Sequence, residues 1–315
     1  MLESSNEFKI IFRGVRGSHT VCSHNSLKYG GNTSCIEVRV NGHIIIVDAG
    51  TGIINLGNEL VKDYIASGTR ESSRKPINAT ILLSHTHYDH INGMPFFKPS
   101  FIDTSSINLF GPDTDNDFFE DIISNFISAP YFPVNFDDIA ADLSLCSFRP
   151  YETILLHTGN PDPEIRQLTY KELQEIPEDD VVITCLKSHA HPKDGVLVFK
   201  ITYKDRSIVY ASDIEGYIDG DVKLINFARN ADILIHDSQY TCEDYSSSIT
   251  PKQGFGHSTP EMAAEIAKLA NAKQLVIYHI DPSYNDDNID TMENNTKKYF
   301  GNTIAAREAL EINLL

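Results

Sequence analysis

The stretch Ser84-His85-Thr86-His87-Tyr88-Asp89-His90 constrains this chain more than any other, because it packs four potential metal ligands into six consecutive positions. The apolar run Ile81-Leu82-Leu83 precedes it and Ile91-Asn92-Gly93 follows. That is the pattern of a buried strand that stops and hands its polar residues to a loop. Three histidines and an aspartate make a poor core, since they repel when protonated and need partners when neutral. Around divalent cations the same crowding becomes useful, because neutral imidazole and carboxylate are good ligands. His85 and His87 alternate in one direction, while Asp89 and His90 begin the next turn. The spacing therefore predicts two adjacent cations, one served by His85 and His87 and the other by Asp89 and His90.

The remaining composition narrows the class. With 315 residues, 41% hydrophobic and 22% charged, the chain is expected to fold as one globular domain, 1–315. No apolar stretch is long enough to span a bilayer. The acidic, polar start Met1-Leu2-Glu3-Ser4-Ser5-Asn6-Glu7 is unlike a signal peptide. Five cysteines are scattered singly with no Cys-x-x-Cys, which indicates neither a disulfide framework nor a thiolate zinc site. A cytoplasmic location is the expectation, with no membrane partner; homo-oligomerisation is compatible with everything in the sequence. The 26 Lys and Arg stand against 44 Asp and Glu, a net charge of −18. A chain that grips a long polyanion usually carries a basic face, so long nucleic acid is disfavoured. A small phosphorylated substrate is not, since bound cations supply local positive charge.

Read in order, apolar strands repeatedly end in His or Asp. Cys35 to Val40 and His43 to Val47 flank Asn41-Gly42, a hairpin signal, and the second ends at Asp48. Asp48 suits an orienting carboxylate behind a ligand histidine or a turn cap. Residues 53–65 carry a helical apolar face. An irregular stretch from Met94 to about residue 150, with a helix near 118–128 and Pro130-Tyr131-Phe132-Pro133, is read as a lid or wall. Residues 151–180 give no clear site signal. Later strands end at the Lys187-Ser188-His189-Ala190-His191 loop, at Asp213, at His236-Asp237 and at His279. His257 precedes Ser258-Thr259-Pro260-Glu261, a capping-box pattern that predicts a helix start beside it. Residues gathered from several strand ends are what a rigid site on a sheet edge requires.

His-x-His-x-Asp-His resembles the signature of the metallo-β-lactamase-fold hydrolases, and the likeness extends through Asp48-Ala49-Gly50-Thr51-Gly52, His191-Pro192, Asp213, His257-Ser258-Thr259 and His279. It is nearest to the phosphodiesterase branch that includes tRNase Z. The resemblance implies an α/β class fold, an αββα sandwich with mixed sheets and the metal site at the sheet edges. It implies one cation on His85, His87 and His191, a second on Asp89, His90 and His279, and Asp213 bridging them. His189 competes with His191 by position, and His191 matches the family run better. Asp89 would both ligate and orient the attacking hydroxide, and His257 would have a catalytic role, donating a proton or gripping phosphate. The cofactors implied are two divalent ions, zinc first, with Mn²⁺ and Fe²⁺ also suited to such ligands. A diiron redox reading expects glutamate where this chain has His87.

The expected function is that of a dinuclear-metal hydrolase, a phosphodiesterase that cleaves a small phosphodiester such as a cyclic nucleotide. The tRNA-processing relatives carry a protruding arm, commonly between the third histidine and the bridging aspartate, and here only a short hairpin separates His191 from Asp213. Competing readings are a tRNA 3′-processing endoribonuclease, a lactone or thioester hydrolase, and a metal-dependent ligand sensor without turnover.

Overall fold

The computed structural model describes residues 6–217 and 219–315; Met1 to Ser5, part of the acidic start, lies outside them. Seven strands build the first sheet. In chain order its first six are β1 (Phe8–Gly14), β2 (Cys35–Val40), β3 (His43–Val47), β4 (Asn78–Leu82), β5 (Ser106–Gly111) and β6 (Asp142–Ser147). The first three pair antiparallel, and β3 to β6 run parallel. Asn41 and Gly42 turn β2 into β3 with φ of 47° and 82°, the left-handed pair that such a two-residue hairpin requires.

Eight strands build the second sheet: β7 (Thr153–Leu156), β8 (Glu164–Arg166), β9 (Val181–Ser188), β10 (Val196–Tyr203), β11 (Arg206–Ala211), β12 (Ile233–Asp237), β13 (Gln274–Tyr278) and β14 (Thr303–Ala305). Its β7 to β11 half is antiparallel and its β11 to β14 half parallel. The last strand, β15 (Glu311–Asn313), returns to pair with β1.

The sheets face each other across a core that includes Phe8, Phe12, Val38, Phe199, Tyr210 and Tyr278. Helix α1 (Gly52–Ala66) covers the outer face of the first sheet with Ile53, Leu56, Leu60 and Tyr64, apolar positions three and four apart that fall on one side of a helix. The short α2 (Tyr88–Ile91) follows the histidine string, and α3 (Phe119–Phe126) lies over the same sheet. Short α4 (Tyr170–Leu173) is followed by α5 (Val222–Phe227), α6 (Cys242–Tyr245), α7 (Pro260–Leu269) and α8 (Asp286–Thr296). Of these, α5, α7 and α8 cover the outer face of the second sheet, α7 through Ala263, Ala264 and Ala267. The expected αββα order is therefore present. Among the described residues no helix is long and apolar enough to cross a membrane.

Two expectations need correction. Much of 94–150 is regular, because β5 and β6 extend the first sheet's parallel half; Pro95, Phe96 and the segment between the two strands supply the wall. Residues 151–180, which carry no site signal in the sequence, contribute the β7–β8 hairpin. The helix after His257 is capped by Thr259, whose side chain accepts from the Met262 amide. Ser258 lies one residue ahead of that cap, so it forms no capping box with Glu261; its hydroxyl donates to the Ile214 carbonyl at 2.5 Å.

Candidate metal centre

Strand register brings the site together. Val47 pairs with Leu82, which aligns the ends of β3 and β4 and the loops bearing Asp48 and His85. Ala211 pairs with His236, and Asp237 with Tyr278, which aligns the ends leading to Asp213, Asp237 and His279. Asp48, Asp213 and His279 have φ of 59°, 55° and 60°. Non-glycine residues held in the left-handed region concentrate where a chain must turn sharply to present a side chain.

Two donor groups sit side by side. His85, His87 and His191 form one, Asp89, His90 and His279 the other, with ligand atoms in each group within 4.8 Å of one another. Asp213 lies between them: Oδ1 is 3.9 Å from His85 Nε2, and Oδ2 is 3.1 Å from His90 Nε2 and 3.4 Å from His279 Nε2. All seven residues marked in the sequence as metal ligands are thus brought together. His189 is exposed and belongs to neither group.

The donors suit cations better than they suit each other. His85 Nε2 is buried with no hydrogen-bond partner among the described residues. His87 Nδ1 faces His191 Nε2 at 3.0 Å, and His90 Nε2 faces His279 Nε2 at 3.3 Å; each contact holds at most one proton. Burial would lower His90, yet Asp213, Asp89 and Asp48 push it well above the usual imidazole range. Burial and the neighbouring His90 hold His85 well below it. Burial alone would raise Asp213, but His279, His90 and His85 hold it far below the usual carboxylate range. A buried carboxylate held ionised among histidines is a natural partner for a divalent ion.

Surrounding groups fix the donors. Asp48 accepts from the Ser84 amide (2.7 Å), the Ser84 hydroxyl (2.9 Å), the Tyr210 hydroxyl (2.6 Å) and His90 Nδ1 (2.7 Å). This carboxylate orients the His90 ring so that Nε2 points into the site. The Ser18 amide donates to Asp89 Oδ2 at 2.7 Å. His191 Nδ1 donates to the Gly256 carbonyl at 3.0 Å, and Gly256 has φ of 88° with no room for a Cβ against His191. Glu215 holds the same loop, accepting from the Gly254 and Gly256 amides and from the Tyr245 hydroxyl.

His257 stands at the edge of this cluster, its Nδ1 2.7 Å from Asp237 Oδ2 and 3.8 Å from Asp213 Oδ1. Burial lowers its pKa, but the charge and hydrogen bond of Asp237 raise it to about 9; a cation alongside would pull it back down. Asp237 is the residue that sequence reasoning passed over. Its signal was present, an aspartate closing the apolar strand Ile233–Asp237, as at the other site positions.

The chain matches the family described as "Beta-lactamase superfamily domain" over residues 43–280. It is 27% identical to "Ribonuclease Z" of Picrophilus torridus, in an alignment covering 98% of this chain and 97% of that protein. Among solved structures it is similar to the short form of human tRNase Z, with a TM-score of 0.60, 18% identity, and coverage of 98% of this chain and 99% of that one. A diphosphatase of the PhnP family is similar at a TM-score of 0.63 and 15% identity, covering 98% of each chain.

Proposed function

The chain belongs to the β-lactamase superfamily as a metal-dependent hydrolase of ester bonds, and from that premise we propose that it cleaves a small phosphodiester such as a cyclic nucleotide. The observation that carries this reading is the pairing of His257 with Asp237 beside two complete donor groups. His85, His87 and His191 would hold one ion, Asp89, His90 and His279 the other, and Asp213 both. Zinc is the ion proposed first for such ligands. When bound, the pair supplies Lewis acidity toward a phosphate oxygen and a lowered water pKa.

The chain's own groups do the rest. Asp89, fixed by the Ser18 amide, is placed to orient the attacking oxygen. His257 commits Nδ1 to Asp237, which leaves Nε2 to donate a proton to the departing oxygen. That step suits a poor alkoxide leaving group more than it suits the thiolate of a thioester. Donors from both sheets serve one site, which supports a single unit spanning the chain. The five free cysteines support a reducing, cytoplasmic setting.

A second reading is tRNA 3′ processing, favoured by the similarity to Ribonuclease Z across nearly the whole chain. Against it, only the β10–β11 hairpin lies between His191 and Asp213, and the net charge is −18. Zinc-reconstituted protein assayed on cyclic mononucleotides and on a precursor tRNA separates the two. Turnover of the small diesters with the tRNA intact supports the first reading, and accurate 3′ cleavage of the tRNA replaces it with the second.

A further inference from the structure

Residues 117–132 and the segment 88–96 that contains α2 enclose a cleft of about 640 Å³, within the range of small-molecule sites. Its walls carry Tyr88, Phe96, Phe126, Tyr131 and Phe132. Tyr88 is 69% exposed, Phe96 54% and Tyr131 80%, a concentration of bare aromatic surface that folding alone does not explain. Two edge-to-face pairs order it, Tyr88 with Phe126 at 6.3 Å and Phe96 with Phe132 at 5.7 Å. Such pairs leave ring faces open to a third ring.

The cleft shares a rim with the metal centre. On α2, Asp89 and His90 point into the donor cluster, while Tyr88 and Ile91 with the following Asn92 line the cleft, as the helical spacing requires. His87 and Tyr88 are consecutive and both exposed, so one small molecule can touch both sites. The cleft's polar groups decide which end goes where. Asp117 and Asn125 line it and, among the described residues, no lysine or arginine does, so a phosphate is repelled from it, whereas a neutral ring bearing N–H donors finds acceptors.

We propose that this cleft is the subsite for a nucleobase, which makes the phosphodiester cleaved at the metal centre a nucleoside ester. The proposal rests on the phosphodiesterase reading above. The base stacks on Tyr88 and its neighbours with its donor edge toward Asp117 and Asn125, and the phosphate reaches over His87 to the donor groups.

The test uses the zinc-reconstituted full chain and two substrates with one leaving group, thymidine 5′-(4-nitrophenyl phosphate) and methyl 4-nitrophenyl phosphate. The expected result is a kcat/KM preference of roughly five-fold or more for the thymidine ester, the lower end of what one stacked base is worth. In Tyr88→Ala and, separately, Tyr131→Ala, both at exposed positions, the preference shrinks toward unity through a rise in KM for the thymidine ester. Equal rates on both esters, or a preference the two variants leave intact, overturn the subsite while the phosphodiesterase reading stands. If neither ester is cleaved, binding of thymidine 5′-monophosphate decides: binding that Tyr88→Ala weakens supports the subsite and removes the phosphodiesterase reading, and absence of binding overturns both.

Discussion

Asp237 Oδ2 lies 2.7 Å from His257 Nδ1, and both side chains are buried. This pair joins the end of β12 to the residue just ahead of α7, and it fixes which imidazole nitrogen remains available for a substrate. The Ser258 amide also donates to Asp237 Oδ1 at 2.9 Å, so one carboxylate positions both the ring and its backbone.

Asp237→Asn should therefore change the pH dependence of turnover. Asp237 is what raises His257 against the lowering effect of burial. Without its charge the His257 pKa falls, and the imidazolium needed as an acid disappears at lower pH. The basic limb of kcat/KM should move to lower pH while metal content, measured by elemental analysis, is retained. His257→Ala should abolish that limb and lower turnover by about 10² to 10⁴. A limb unmoved in Asp237→Asn would show that His257 is not the titrating acid.

Metal retention should separate Asp213 from His189. Asp213 stands between the two donor groups, whereas His189 is exposed outside them. Asp213→Ala should lose bound metal under dialysis and His189→Ala should not. Full occupancy in Asp213→Ala would refute the bridging role.

Asp48 accepts four hydrogen bonds and touches His90. Asp48→Ala should weaken metal affinity by about 10- to 100-fold, the usual effect of removing a carboxylate behind a ligand histidine. Tyr210→Phe removes one of its donors and should cost about 2 kcal/mol of stability, read by urea unfolding with metal chelated. Wild-type affinity in Asp48→Ala would mean that His90 is oriented by other contacts.

His157 offers a pH test far from the centre. Its Nε2 is 2.8 Å from Glu164 and its Nδ1 is 2.7 Å from Asp180, and these two partners, Glu164 first, raise its pKa. A raised folded-state pKa contributes stability that is complete below the unfolded value, about 6.5, and is lost as pH rises through the folded value. The gap in urea midpoint between the wild type and His157→Ala should be widest below about pH 6.5 and close as the solution becomes basic. A gap that widens with pH would contradict the pairing.

Much of this site was legible because a metal centre on sheet edges places polar residues where apolar runs stop. Val47-Asp48, Ala211-Ser212-Asp213 and Tyr278-His279 carry that contrast in the bare sequence. What escaped was set by tertiary context. Ser106 to Gly111 is a strand because β4 pairs with it in register, although its neighbours read as irregular. Ser258 and Glu261 have capping-box spacing, but the helix starts one residue later, with Thr259 as its cap. The aromatic cleft depends on 117–132 folding back over α2, which no local period encodes. Asp237 lacked only a reason to be separated from turn-forming aspartates, and that reason is His257, which folding brings to it.

The central claim is a two-metal phosphodiesterase, and a zinc titration of the chelated protein tests it most directly, with bis-p-nitrophenyl phosphate turnover followed beside p-nitrophenyl acetate. The account predicts that diester cleavage rises to a maximum at two equivalents of zinc per chain and greatly exceeds ester cleavage. Saturation at one equivalent, or hydrolysis confined to the acetate, would contradict it.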